Sequence, residues 1–174
     1  METQEPLVKP QEPLLKLSWR EKYAGILVLI IGIIYLIFQV SDFASSRAGA
    51  YAVKDGALQV STSELLNHAR TIFTILLAIS GGLLLLNGKR AGWVIGLPIL
   101  SLLTLIVAGI LAYNFRTTGN TQKIMGGVAL FILLLAILFL LLPSARKKYK
   151  VGKYTYLPTL VLLVVLAALY FFLQ

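Results

Sequence analysis

The sequence predicts an all-α membrane protein: five transmembrane helices in a bundle, with a short extracytoplasmic β-hairpin between the first and the second. Three observations lead there. The chain of 174 residues is 58% hydrophobic and only 13% charged, whereas a soluble domain is nearer a quarter charged. The apolar residues fall in long uncharged runs of about the 20 residues that a bilayer-crossing helix needs. The cations collect on alternate connections between those runs, which is the bias that sets orientation in a membrane. A net charge of +9 would suggest nucleic acid in a soluble protein; here the basic residues cluster at helix ends, and no nucleic-acid partner is expected. With no cysteine and a single histidine, His68, disulfides, thiolate metal sites and multi-histidine sites are excluded, and no cofactor is expected. The expected partners are the lipid bilayer and a membrane-protein partner or a second copy of the chain.

The stretch from Ser61 to Phe115 organises the rest. It reads as two long apolar helices joined by Asn87-Gly88-Lys89-Arg90. Gly88 suits the left-handed conformation that closes a helix. Two adjacent cations are costly in hydrocarbon, so the turn lies at a membrane surface. Each arm carries a stripe of small or weakly polar residues: Thr71, Thr74, Ala78, Gly81 and Gly82 on the first, and Gly92, Gly96, Ser101 and Thr104 on the second. Counted from the turn, Gly82 is level with Gly96 and Thr74 with Thr104. Lipid gives apolar helices no hydrophobic reason to associate, so close backbone contact and interhelical hydrogen bonds must hold them. The stripes are expected to face each other, with Pro98 bending the second arm slightly.

Residues 1–17 are expected to form a disordered cytoplasmic tail. It holds a direct repeat, Gln4-Glu5-Pro6-Leu7-Val8-Lys9 and Gln11-Glu12-Pro13-Leu14-Leu15-Lys16, and a proline in each copy disfavours a helix. The remainder, 18–174, is expected to be a single transmembrane domain with spans at about 23–40, 66–87, 91–115, 124–142 and 157–173. Ser18 and Glu21 have capping-box spacing, and Trp19 and Tyr23 suit the headgroup level. Gly25, Gly32, Tyr35 and Gln39 share one side of the first span, which should face protein because an amide in lipid goes unpaired. The first apolar run is too long, and Ala48-Gly49-Ala50 too far beyond it, for a cleaved signal peptide.

Between the first two spans, Asp55-Gly56 is a strong two-residue turn signal, and Ala50 to Val60 reads as a β-hairpin. Ser61 and Glu64 repeat the capping-box spacing. A helix from there to Asn87 would be about 39 Å long, against a hydrocarbon layer of ~30 Å, so Glu64, His68 and Arg70 should stand clear of it. Arg116 to Lys123 reads as a surface loop. The fourth span is stopped by Pro143, and a basic run follows: Arg146, Lys147, Lys148, Lys150 and Lys153. This run is a candidate for anionic-lipid contact, or it fixes orientation alone. Pro158 falls in the first turn of the short last span, where proline is tolerated. Leu97-Pro98-Ile99-Leu100 resembles Leu157-Pro158-Thr159-Leu160, which would make the second and third helices a copy of the fourth and fifth.

Of the 16 Lys and Arg, eleven lie in the N-terminal segment, the Gly88 turn and the run after Pro143. The expected setting is a plasma membrane, bacterial inner membrane in type, with the N-terminus cytoplasmic and the C-terminus outside. No Asp, Glu, Lys, Arg or His falls within the hydrocarbon-crossing part of any span, which disfavours ion-coupled transport. Three functions stay open: a non-catalytic accessory or scaffold subunit, a small transporter or permeation component for an uncharged or lipid-like solute, and a lipid-modifying enzyme using Asp42, Asp55, Glu64 or His68. The orientation is testable because the chain lacks cysteine. Asp55→Cys should react with an impermeant thiol reagent in intact cells, and Lys148→Cys should not; the reverse pattern would invert the topology.

Overall fold

The computed structural model describes residues 17–49, 62–115 and 119–172. These form six helices: α1 (Trp19–Gly49), α2 (Thr62–Leu86), α3 (Arg90–Tyr113), α4 (Asn120–Leu141), the short α5 (Pro143–Lys148) and α6 (Lys153–Phe172). Five of them are long and apolar enough to cross a bilayer, as a polytopic membrane protein requires. α3 is central. It packs against α2, α4 and α6, and α1 bridges α2 and α4.

The α2–α3 turn forms as its residues dictate. Gly88 takes a left-handed φ of 67°. Its N–H donates to Leu85 and that of Lys89 to Leu84, so two of the orphan carbonyls at the end of α2 are satisfied. Gly92 then lets α3 lie directly on α2: a Cβ there would collide with the backbone of Leu84 and Leu85. We call this end of the bundle the turn end and the opposite one the far end.

α1 packs antiparallel on α2 along a seam of glycines. A Cβ on Gly25 would stand 3.0 Å from Leu86, one on Gly32 3.1 Å from the Ile79 backbone nitrogen, and one on Gly82 2.8 Å from the Leu29 backbone nitrogen. At Gly32 and Gly82 the backbones meet directly, the close approach that stabilises helix pairs in lipid.

Several boundaries differ from expectation. α1 continues past Val40 to Gly49, giving 31 residues and a length of about 46 Å. No proline interrupts Ser41 to Ala48, and the Ser45 hydroxyl bonds back to the Ser41 carbonyl at 2.8 Å, so nothing local stops the helix. The β-hairpin expected over Ala50–Val60 falls on residues outside the described set, and no strand occurs among the described residues; with α1 reaching Gly49, the polar segment expected to be a loop from Ser41 onward is partly helix. The expected tail lies outside the described residues up to position 16. α4 begins at Asn120, so part of the expected surface loop is its first turn. α6 starts at Lys153, which places Pro158 inside the helix and lengthens it to 20 residues, about 30 Å. The Tyr154 carbonyl that proline leaves without a helical donor lies at the exposed start of the helix. α4 and α6 do not repeat the α2–α3 hairpin: α5 separates them, and each packs on α3.

The glycine geometry yields a prediction. Gly92→Ala should destabilise the protein by about 2–3 kcal/mol or more, because the methyl group meets backbone that cannot move aside. Gly109→Ala, with open space around it, should be neutral or slightly stabilising. Thermal unfolding in mild detergent checks both.

Candidate functional site

Two features stand out, one at each end of the bundle. At the turn end, hydrogen bonds tie every helix to another. Glu21, in the first turn of α1, is 2% exposed. Its Oε2 accepts from the Ser18 backbone N–H at 2.7 Å and pairs with Lys148 Nζ of α5 at 2.9 Å. The capping residue thus also anchors the segment after α4. The buried Tyr149 hydroxyl donates to the Leu85 carbonyl of α2 at 2.9 Å. Burial, reinforced by the Glu21 carboxylate, pushes that hydroxyl well above the usual tyrosine pKa of 10.0, so it stays protonated and donating across the neutral range. The fully buried Trp93 of α3 donates its Nε1–H to the Leu140 carbonyl of α4 at 3.0 Å. Arg90 Nη2 donates to the buried Thr155 Oγ1 of α6, and Arg146 Nη1 donates to the Tyr156 hydroxyl at 3.1 Å. Trp19, Tyr23 and Phe139 form a three-ring cluster with centroids 5.8–6.3 Å apart.

α5 reaches this position through an unusual closure. Lys150 adopts a left-handed φ of 51°, while its N–H bonds to Lys147 and that of Val151 to Arg146. This is the arrangement glycine makes at the end of α2, built here on a lysine.

At the far end, α1, α2, α3 and α6 line a cavity of about 190 Å³. Its floor is apolar, with Ala78, Ile99, Leu102 and Leu166 meeting in a small core. Polar groups share the lining: Tyr35 from α1, Arg70, Thr71 and Thr74 from α2, and Tyr170 from α6. Arg70 crosses to α6, where Nη1 donates to the Leu169 carbonyl at 3.4 Å and the guanidinium lies 5.9 Å from the Tyr170 ring centroid. Among the described residues no acidic side chain lines the cavity.

The small-residue stripes are distributed among several contacts. Gly81 faces Ile95 and Gly96 of α3, and Gly96 receives the Leu85 side chain. Gly82 turns away to α1. Thr71, Thr74 and Ala78 line the cavity, while Ser101 and Thr104 are half-buried on α3. The Thr74 and Thr104 hydroxyls bond to the carbonyls of Arg70 and Leu100, one turn back in their own helices, not across the helix pair. Of the basic run, Lys148 is held by Glu21 and Arg146 by Tyr156, and Lys147, Lys150 and Lys153 are exposed. Asp55 and the side chains of Glu64 and His68 lie outside the described residues. Among the described residues no three His, Cys, Asp or Glu come together.

Sequence reasoning missed the second role of Glu21, the anchoring bonds of Trp93 and Tyr149, and the place of Arg70 at a cavity. One signal was there to use. An indole N–H within an apolar helix needs an acceptor when buried, and Trp93 sits in such a run. No protein-family model matches the chain, and neither a curated protein nor a solved structure matches it.

The Glu21–Lys148 pair makes a test of what holds the turn end. Lys148→Met strands a carboxylate that is almost fully buried and should cost about 3 kcal/mol. Glu21→Gln should cost less, because the Lys148 side chain is 32% exposed and can rehydrate. The double variant should recover most of the loss. Unfolding temperatures of the three variants in one detergent measure the asymmetry.

Proposed function

We propose that this chain is a non-catalytic, multi-pass protein of a plasma membrane, bacterial inner membrane in type, whose working part is the far-end cavity, and that the cavity seats the apolar chain of a lipid-like molecule. The observation that carries this reading is the cavity itself: mostly apolar, with a few polar groups in its lining, and walled by four helices. A ligand site is expected to be a mostly apolar hollow with a few convergent polar groups. An apolar cavity of ~150 Å³ already takes benzene, so about 190 Å³ suits a segment of one hydrocarbon chain. The excess of Lys and Arg at the turn end supports an orientation with that end cytoplasmic. The cavity mouth then faces the outer leaflet, where such molecules reside.

The reading of the chain as an accessory subunit has no observation of its own, since exposed apolar helix faces are what lipid contact alone demands. For lipid seating the test is direct. Native mass spectrometry of protein extracted in mild detergent should find about one lipid retained per chain. Thr74→Phe, which projects a ring into the cavity from a half-buried position, should lower retention about tenfold with little change in unfolding temperature. Equal retention by the filled variant would refute the proposal.

A further inference from the structure

We infer that the turn end of the bundle is a docking surface for anionic phospholipid, and that Lys147, Lys150 and Lys153 are the cations that hold the headgroup. The surface lies at the opposite end from the cavity and does not depend on lipid seating there.

The fold divides the basic run after α4 into two sets. Ala145, Lys148 and Tyr149 fall three and four residues apart along α5 and its C-cap, on one side of the helix. That side faces the bundle. Ala145 and Tyr149 are buried, Lys148 pairs with Glu21, and the Tyr149 hydroxyl reaches the Leu85 carbonyl. Arg146 is engaged by Tyr156. Lys147, Lys150 and Lys153 are left exposed. Two cations of the run thus serve the fold, and three stand outward.

Helix lengths give their depth. α4 ends at Leu141 and α6 begins at Lys153. Their 22 and 20 residues span about 33 and 30 Å, which matches a hydrocarbon layer of ~30 Å. Leu141 and Lys153 therefore mark its boundary on the turn side. α5 joins them, held to the start of α1 and the end of α2, and so lies at headgroup level. Trp19 and Tyr154 are exposed at the same end, where amphipathic rings favour the interface. Lysine side chains reach lipid phosphates from this depth.

The charge of this surface is one-sided. Arg20 and Lys22 stand at the start of α1, Lys89 and Arg90 at the α2–α3 turn, and five cations follow α4. Among the described residues, Glu21 is the carboxylate at this end, and Lys148 neutralises it. Residues 1–16 add three Glu and two Lys, too few acids to reverse the sign. A cation already inside the headgroup layer meets lipid phosphate first, so the partner is lipid and not an acidic protein. The chains of that lipid remain in the bilayer beside the exposed Leu138, Leu141 and Leu157.

The test uses the full-length protein in phosphatidylcholine nanodiscs with spin-labelled phosphatidylglycerol, or with spin-labelled phosphatidylcholine of the same chains. The two probes differ only in the headgroup, so an apolar cavity treats them alike. The motionally restricted fraction should show phosphatidylglycerol held about fivefold more tightly, the increment of one cation near the surface. The preference should fall toward parity in ~1 M salt, where exposed charges are screened. Lys147→Gln, Lys150→Gly and Lys153→Gln combined should also bring it close to parity. Lys150 has a φ of 51°, which glycine adopts without strain, so this variant loses charge while its helix closure is kept. Lys147→Arg, Lys150→Arg and Lys153→Arg combined should retain the preference. Equal restriction of the two probes by the wild type, a preference unmoved by salt, or one that survives loss of the three lysines overturns the inference. None of these outcomes bears on lipid seating at the far end.

Discussion

A carboxylate taken out of water must find a cation or lose its charge, and Glu21 has found Lys148 from a segment more than a hundred residues away. That single pairing constrains the turn end. It fixes the start of α1 to α5, the segment between α4 and α6. Around it, Tyr149 secures α2, Trp93 joins α3 to α4, and Arg90 reaches α6. Each bond draws on groups that would otherwise be orphaned at a helix end or stranded in an apolar core. The bundle is polar and closed where its helices turn.

Gly92 brings α2 and α3 into backbone contact near their shared turn. Toward the opposite end the same two helices, with α1 and α6, line the cavity. Among the described residues that lining is mostly apolar, and Arg70 is its cation.

Much of this was legible in the residues. Long apolar runs announced five helices, Gly88 announced a left-handed closure, and Ser18 with Glu21 announced a helix start. These are local rules that need only neighbouring positions. What local rules could not supply was rotation about the helix axis. Counting from the turn put Gly82 level with Gly96, but depth does not say which way a residue points, and Gly82 packs on α1. The far partner of Glu21 was equally invisible, since the spacing that makes a cap is satisfied whether or not a lysine arrives from elsewhere. α1 outruns its apolar stretch because polarity alone does not end a helix. Apart from Phe43, Ser41 to Gly49 are polar or small yet contain no residue that forbids helical backbone, and a helix of this kind continues until something does. Lys150 was beyond reach for a related reason: its left-handed backbone is imposed by bonds to Lys147 and Val151's bond to Arg146, where sequence rules would look for glycine.

The chain has two tryptophans, and the fold has given them opposite surroundings. Trp19 is 70% exposed at the edge of the ring cluster, whereas Trp93 is sealed off and hydrogen-bonded to the Leu140 carbonyl. Their intrinsic fluorescence is therefore divided by location. A soluble quencher reaches the first and is barred from the second, so emission that remains blue-shifted and unquenched comes from Trp93 alone. The protein carries its own optical gauge of whether α3 and α4 are docked, with no label attached.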